Sequence, residues 1–210
     1  MGTCSPAQSH REIVYIVDDD STVRDALSSL LRANGKIVQL FSSGHDFLEF
    51  ERNDNSACLI LDLKMPGMNG LDVQSVLVDL PSIPIIFITG RGDVSSTVRA
   101  MKGGAFDFLT KPIEEGTLLA AVESALGADR EKRRVASERS GLMARYALLT
   151  PREREVLALL VKGLLNKQVA AKLGIAEYTV QVHRGHIMQK MQVESFAALV
   201  RLAGQFETLV

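Results

Sequence analysis

Short apolar runs in the first half of this chain each deliver a side chain fit to handle a phosphoryl group. Ile13–Val17 runs into Asp18, Asp19 and Asp20, Cys58–Leu61 stops at Asp62, and Ile85–Ile88 stops at Thr89. Phe106–Leu109 leads, one residue further on, to Lys111 and Pro112. Adjacent acids behind a buried strand are costly to desolvate unless a cation compensates them. A hard cation does so through oxygen ligands, and Mg2+ takes one or two carboxylates with waters and phosphate oxygens. Asp19 and Asp62 are therefore candidate direct ligands, Asp18 a ligand through a water, and Asp20 the start of a helix. Asp62 stands alone at the end of its run, which makes it the candidate nucleophile, since carboxylates form acyl phosphates. Phosphoryl transfer is mostly positioning and charge neutralisation. Mg2+ (or Mn2+) and the Lys111 ammonium would neutralise charge, and the Thr89 hydroxyl would donate to a phosphoryl oxygen. Pro112 is placed to set the lysine's backbone, a cis peptide being one way to do so.

Residues so far apart can meet if the runs are strands of one parallel sheet. Continuous apolar runs mark strands buried on both faces, and the carboxyl ends of parallel strands share the edge where α/β proteins bind ligands. The pattern predicts strands near 13–17, 36–41, 57–61, 84–89 and 106–109, with helices over 21–33, 43–51, 69–79, 94–102 and 114–125 between and after them. Gly35 ends the first helix and Gly103-Gly104 the fourth, while Asn69-Gly70 and Pro81 punctuate the third. Such alternation implies a parallel sheet with helices on both faces.

The second half reads differently. Residues 126–149 lack proline and are rich in Arg, Lys, Glu and Ala, with only Gly127 and Gly141 against helix. They read as a charged, mostly solvated helix continuing the one before, Arg130 to Arg134 being a spacer rather than a DNA contact. Residues 150–210 read as four short helices. Thr150-Pro151 with Glu153 combines an N-cap, a first-turn proline and a capping-box glutamate. Gly163 closes that helix, Asn166 caps a second that Gly174 ends, Ala176-Glu177 opens a third reaching about Met191, and Ser195 caps the last. Two helices split by Gly174 have helix-turn-helix spacing, in which the second enters the major groove. Its Gln181, Val182, Arg184, Gly185 and Lys190 are candidate DNA contacts, because Gln reads adenine and Arg or Lys reads guanine or holds phosphate. Lys167 and Thr179 complete the candidate set. His183 is equally well a packed imidazole.

At 210 residues the chain can hold two small domains. Its net charge of −1 hides an asymmetry. Residues 1–125 hold 10 Lys/Arg against 17 Asp/Glu, residues 126–149 hold 6 against 3, and residues 150–210 hold 8 against 5. An acidic first half and a basic remainder suit a cation site followed by a nucleic-acid site. Apolar stretches fall short of a membrane span, no secretory signal is visible, and Cys4 and Cys58 are too few for a disulfide framework. The expected setting is cytoplasmic, without membrane contact.

Ile16-Val-Asp-Asp-Asp, Leu61-Asp-Leu-Lys-Met-Pro-Gly-Met-Asn-Gly, Ile88-Thr-Gly and Phe108-Leu-Thr-Lys-Pro resemble the signatures of two-component receiver domains. Leu149-Thr-Pro-Arg-Glu-Arg-Glu-Val-Leu, Gly163-Leu-Leu-Asn-Lys-Gln-Val-Ala, Thr179-Val-Gln-Val-His-Arg and Ile187-Met-Gln-Lys-Met resemble the LuxR-type helix-turn-helix domain. Together they are similar to a FixJ/NarL-type response regulator. The resemblance implies a flavodoxin-like, doubly wound receiver over 12–125 with five parallel strands in the order 2-1-3-4-5. A helical linker over 126–148 and an all-α four-helix DNA-binding domain over 149–210 follow. It also implies Asp62 as phosphoacceptor, Asp18, Asp19, Asp62 and the Lys64 carbonyl as metal ligands, and Thr89, Lys111 and Phe108 as phosphate and switch residues. Expected partners are a sensor histidine kinase, promoter DNA, RNA polymerase and a second copy after phosphorylation. No enzyme in the ordinary sense is expected, only a phosphoacceptor that catalyses its own phosphorylation and dephosphorylation. A Mg2+-dependent phosphatase turning over at Asp62 is the alternative. Tyr178 and Gln181 depart from residues common in relatives, so no operator preference carries over.

Overall fold

A computed structural model describes residues 12–77, 83–90 and 94–207, with backbone alone for 94–95 and 203–207. Five strands, β1 (Ile13–Val17), β2 (Ile37–Phe41), β3 (Ala57–Asp62), β4 (Ile85–Thr89) and β5 (Asp107–Thr110), form one sheet in the order β2-β1-β3-β4-β5. Every pairing is parallel, with Val17 beside Leu61 and Phe41, and Thr89 beside Thr110. The predicted order is the observed one. The order in which strands are added reverses between β1 and β3, so the crevice at the carboxyl ends opens there.

Period-two alternation sends one set of strand side chains to each face. Tyr15, Val17, Leu59, Leu61 and Phe87 pack with Phe47, Val73 and Ala100 from α2 (Gly44–Glu49), α3 (Gly70–Leu77) and α4 (Val94–Lys102). Val14, Ile16, Ile60, Ile86 and Ile88 pack with Leu27 and Leu31 of α1 (Ser21–Ala33) and Leu118, Val122 and Leu126 of α5 (Glu115–Ala147). Each such buried side chain contributes about 1.5–3 kcal/mol. Asp20 starts α1 as expected, its Oδ1 accepting the Thr22 N–H at 2.8 Å. Gly35 and Gly104 turn the chain at positive φ, 76° and 87°. Pro81 and the end of the third helix lie outside the described residues.

Helix α5 runs without break through Gly127 and Gly141 to Ala147. Residues 134–141 are exposed, but Asp129 is buried, so the segment is not a solvated spacer throughout. The chain divides into compact units after Arg134. The second unit holds α6 (Pro151–Val161), α7 (Asn166–Leu173), α8 (Glu177–Lys190) and α9 (Phe196–Glu207) around Val156, Leu160, Val169, Val180, Ile187 and Leu199. The Thr150 capping box forms in both directions, at 3.2 and 2.7 Å. Asn166 does not cap α7, contrary to the sequence expectation. Leu165 holds the cap position, Gln168 Oε1 accepts its N–H at 2.9 Å, and the Asn166 carboxamide turns to Arg184 instead. Gly174 ends α7 in the left-handed conformation at φ 64°.

Candidate functional site

The end of β3 delivers Asp62 to the sheet edge, and Gly70 lets α3 begin directly against it. A Cβ at Gly70 would stand 2.5 Å from the Asp62 carbonyl oxygen and 2.9 Å from the Phe87 ring. The turn between β1 and α1 delivers Asp18, whose carbonyl accepts from Arg24 at 2.6 Å. The end of β5 delivers Lys111, whose N–H donates to the Thr89 carbonyl at 2.7 Å. The Lys111–Pro112 peptide is cis.

These elements bring Asp18, Asp62, Thr89 and Lys111 together. Asp18, Asp62 and Thr89 are 1%, 5% and 2% exposed. The Lys111 ammonium bridges the two acids, donating to Asp18 Oδ2 and Asp62 Oδ1 at 2.8 Å each. Backbone N–H groups of Asp20 and Lys64 fill the other oxygens, at 2.9 and 2.8 Å. Burial pushes the Asp62 carboxyl above its usual range; Lys111 opposes the rise and the Asp18 charge adds to it. Burial disfavours the Lys111 ammonium, but its hydrogen bonds to Asp18 and Asp62 outweigh that and raise its pKa. Among the described residues the buried Thr89 hydroxyl has no hydrogen-bond partner. Buried hydroxyls are nearly always paired, and this one is available to donate to an oxygen placed beside it.

Asp19 is exposed at the rim, where it lines a cleft with Lys64, Met65, Asn69 and Arg99. Among the described residues no three Asp, Glu, His or Cys side chains are gathered as a metal cluster. The donors are nonetheless all oxygen, and two buried carboxylates face one ammonium, which leaves negative charge for a hard cation. Phe108 is half-buried against the α3–α4 side of the sheet. Sequence reasoning missed Arg24, whose charge gave no hint of its partner, and read Gly70 as punctuation alone.

On the second unit, Gln181, Val182 and Gly185 share the exposed face of α8, joined by Tyr178 at 74% exposure, a residue absent from the predicted set. Lys167 is exposed on α7 and Thr179 is half-buried. Arg184 and Lys190, also expected on the DNA face, are each engaged within their own unit. Arg184 Nη1 donates to Asn166 Oδ1 at 3.2 Å, and its guanidinium lies 4.1 Å from the centre of the Phe196 ring. Lys190 Nζ donates to Glu153 Oε2 at 2.7 Å, and the Glu153 side chain is 4% exposed. Burial opposes the charge on Glu153, yet Lys190 and the Thr150 N–H hold its carboxyl below the ordinary range. His183 is half-buried, and among the described residues its Nδ1 has no hydrogen-bond partner.

Comparison with known proteins agrees with both halves. Residues 14–123 match the response regulator receiver domain, and residues 147–203 match the bacterial regulatory proteins of the luxR family. Nodulation protein W of Bradyrhizobium diazoefficiens is 46% identical over 93% of this chain and 86% of its own length. Response regulator protein TmoT of Ectopseudomonas mendocina is 49% identical over 90% of this chain and 87% of its own. The solved structure of the response regulator StyR is 47% identical, covers 93% of this chain and 99% of its own, and superposes with a TM-score of 0.88.

Proposed function

The chain belongs to the response regulators that join a receiver domain to a luxR-family DNA-binding domain, and from that premise we propose that phosphorylation of Asp62 controls its binding to promoter DNA. Transcription regulation within a two-component system is the function of such a chain. The donor is the phosphohistidine of a sensor kinase. An Asp62 carboxylate oxygen attacks phosphorus, the new O–P bond forms as the P–N bond breaks, and the imidazole keeps the bonding pair. Asp18, Asp19, Asp62 and the Lys64 carbonyl would hold Mg2+ (or Mn2+), which neutralises phosphoryl oxygens when bound. Lys111 bridges the acids before transfer and pairs with phosphoryl oxygen after it.

The observation that carries this reading is the buried Thr89 hydroxyl without a partner, on the strand beside Lys111. A phosphoryl oxygen on Asp62 supplies its acceptor. Thr89 moves inward, Phe108 follows, and the face of α4 and β5 changes, a local charge event biasing a two-state surface. That face leaves Val98, Met101 and Phe106 exposed, which suits pairing with a second copy. Paired chains then place two α8 helices on half-sites and engage RNA polymerase. Gln181, Val182 and Thr179 read the groove, Gly185 lets the backbone approach it closely, and Lys167 holds phosphate. Arg184 keeps its full charge beside the neutral Asn166, whereas the charge of Lys190 is partly offset by Glu153. Among the described residues no helix is long and apolar enough to cross a membrane, and promoter DNA as partner places the chain in the cytoplasm.

The test is incubation with a small phosphodonor and Mg2+, followed by mass measurement. One acid-stable, hydroxylamine-labile phosphoryl group, absent from Asp62→Asn and from chelator-treated protein, is expected. Phosphate on Asp62→Asn, or none on the native chain, would overturn the proposal.

A further inference from the structure

Apolar packing of α5 on the receiver ends at Leu126, yet the helix continues to Ala147. What holds the next two turns is charge. Asp129 is 2% exposed, and its Oδ2 accepts the N–H of Ala57, the first residue of β3, at 2.9 Å. The same oxygen accepts Arg133 Nε at 2.7 Å, and Arg133 Nη1 reaches Asp54 at 2.6 Å. One turn earlier, the buried Ser56 hydroxyl donates to the Leu126 carbonyl at 3.3 Å. Alongside, Arg130 donates to Glu12 at 2.9 Å, and Lys36 pairs with both Glu12 at 3.1 Å and Glu123 at 2.6 Å. This network lies at the amino-terminal edge of the sheet, opposite the edge that carries Asp62 and Thr89. The Arg130–Arg134 run, read from sequence as a spacer, supplies two of its cations.

Beyond Arg133 the helix has no apolar support until Leu142, which is buried in the second unit. Residues 134–141 are exposed and end on Gly141. An exposed stretch of that length is marginal as an isolated helix, and an internal glycine costs about 1 kcal/mol more. Its helicity therefore depends on how firmly the turns on either side are held, by Asp129 and Arg133 before it and by Leu142 after it. We infer that the buried carboxylate of Asp129, locked by Arg133 onto the start of β3, roots the linker helix in the receiver, and that a rooted helix lets the pairing of phosphorylated receivers proposed above be felt by the DNA-binding domains. Asp129 is thus a positioning residue, and the coupling half of the inference rests on the function proposed above.

Hydrogen exchange on the full chain tests the root. Asp129→Asn keeps an acceptor for the Ala57 N–H but loses the charge that Arg133 holds. It should speed exchange of amides 130–141 about tenfold while leaving Ile13–Val17 as in the native chain. Arg133→Gln should do the same. A residue that merely caps β3 would leave amides 130–141 unchanged in both variants, and that result overturns the root. Operator binding tests the coupling. Asp129→Asn should incorporate phosphate at Asp62 as the native chain does, yet its ratio of phosphorylated to unphosphorylated affinity should fall at least about threefold. A native ratio in that variant overturns the coupling. If the native chain itself shows a ratio of one, the proposed function fails along with the coupling, while exchange still decides the root.

Discussion

Two buried carboxylates share one ammonium at the phosphoryl site, and that imbalance sets both chemistry and stability. The Asp62 carboxyl stands above its ordinary pKa because burial disfavours its charge. A raised folded pKa means the native state binds that proton more tightly than the unfolded chain, so ionised Asp62 costs stability above the unfolded pKa. As pH falls through the folded value that cost is relieved. Asp62→Asn should accordingly raise the receiver's thermal midpoint at pH 7 by roughly 3 °C, the response to about 1 kcal/mol in a domain of this size. A lowered midpoint would mean that the Lys111 pair outweighs desolvation. Lys111 itself has a raised pKa, so its contribution is intact at neutral pH and fades only in strong alkali. The acids, hydroxyl and lysine were legible in the sequence because each follows an apolar run that fixes where it emerges. Arg24 was not, since a charged residue on a helix can reach several carbonyls and only the folded turn selects Asp18.

At the level of elements, buried parallel strands write themselves as uninterrupted apolar runs, which is why all five strands were located to within a residue at each end, while their order came from the resemblance to receiver domains. Helix faces are less explicit. On α8 the apolar positions Val180 and Ile187 identify the inner side, but whether a flanking cation faces DNA or its own unit depends on partners contributed by α6, α7 and α9. Lys190 and Arg184 resolve toward the unit. Lys190→Ala should therefore destabilise the helical unit by about 2 kcal/mol, since it strands a buried carboxylate. Gln181→Ala should leave stability within about 0.5 kcal/mol and weaken operator binding by about 1–3 kcal/mol. Urea melts and binding isotherms on both variants separate the two roles; equal loss of affinity with no loss of stability in Lys190→Ala would return that lysine to the DNA face. Because the Glu153 carboxyl is held low, its contribution is present above the ordinary range near pH 4.3 and is lost as pH falls through its folded value. Acid melts of Lys190→Ala should show a smaller step, because the Thr150 N–H still holds the carboxylate. The start of α3 offers a sharper packing test. Gly70→Ala forces a Cβ onto the Asp62 carbonyl and should cost about 1–3 kcal/mol, read as a lower denaturant midpoint of the receiver.

Across the whole molecule, acid is concentrated in the receiver and base in the linker and the helical unit, and the function proposed above has a phosphoryl group added to the acidic half felt in the basic half. The domain order was plain from the change of periodicity near residue 126. The role of the linker was not, because a run such as Arg130–Arg134 looks alike whether solvated or locked to acids on a neighbouring strand. The account stands or falls on whether charge on Asp62 changes assembly and DNA affinity together. Sedimentation and operator titration of the native chain and Asp62→Asn, each with and without a small phosphodonor and Mg2+, measure this directly. The native chain should shift from monomer to dimer and gain about tenfold in operator affinity, with Asp62→Asn unmoved on both counts. Equal dimerisation and equal affinity gain in the two proteins would contradict it.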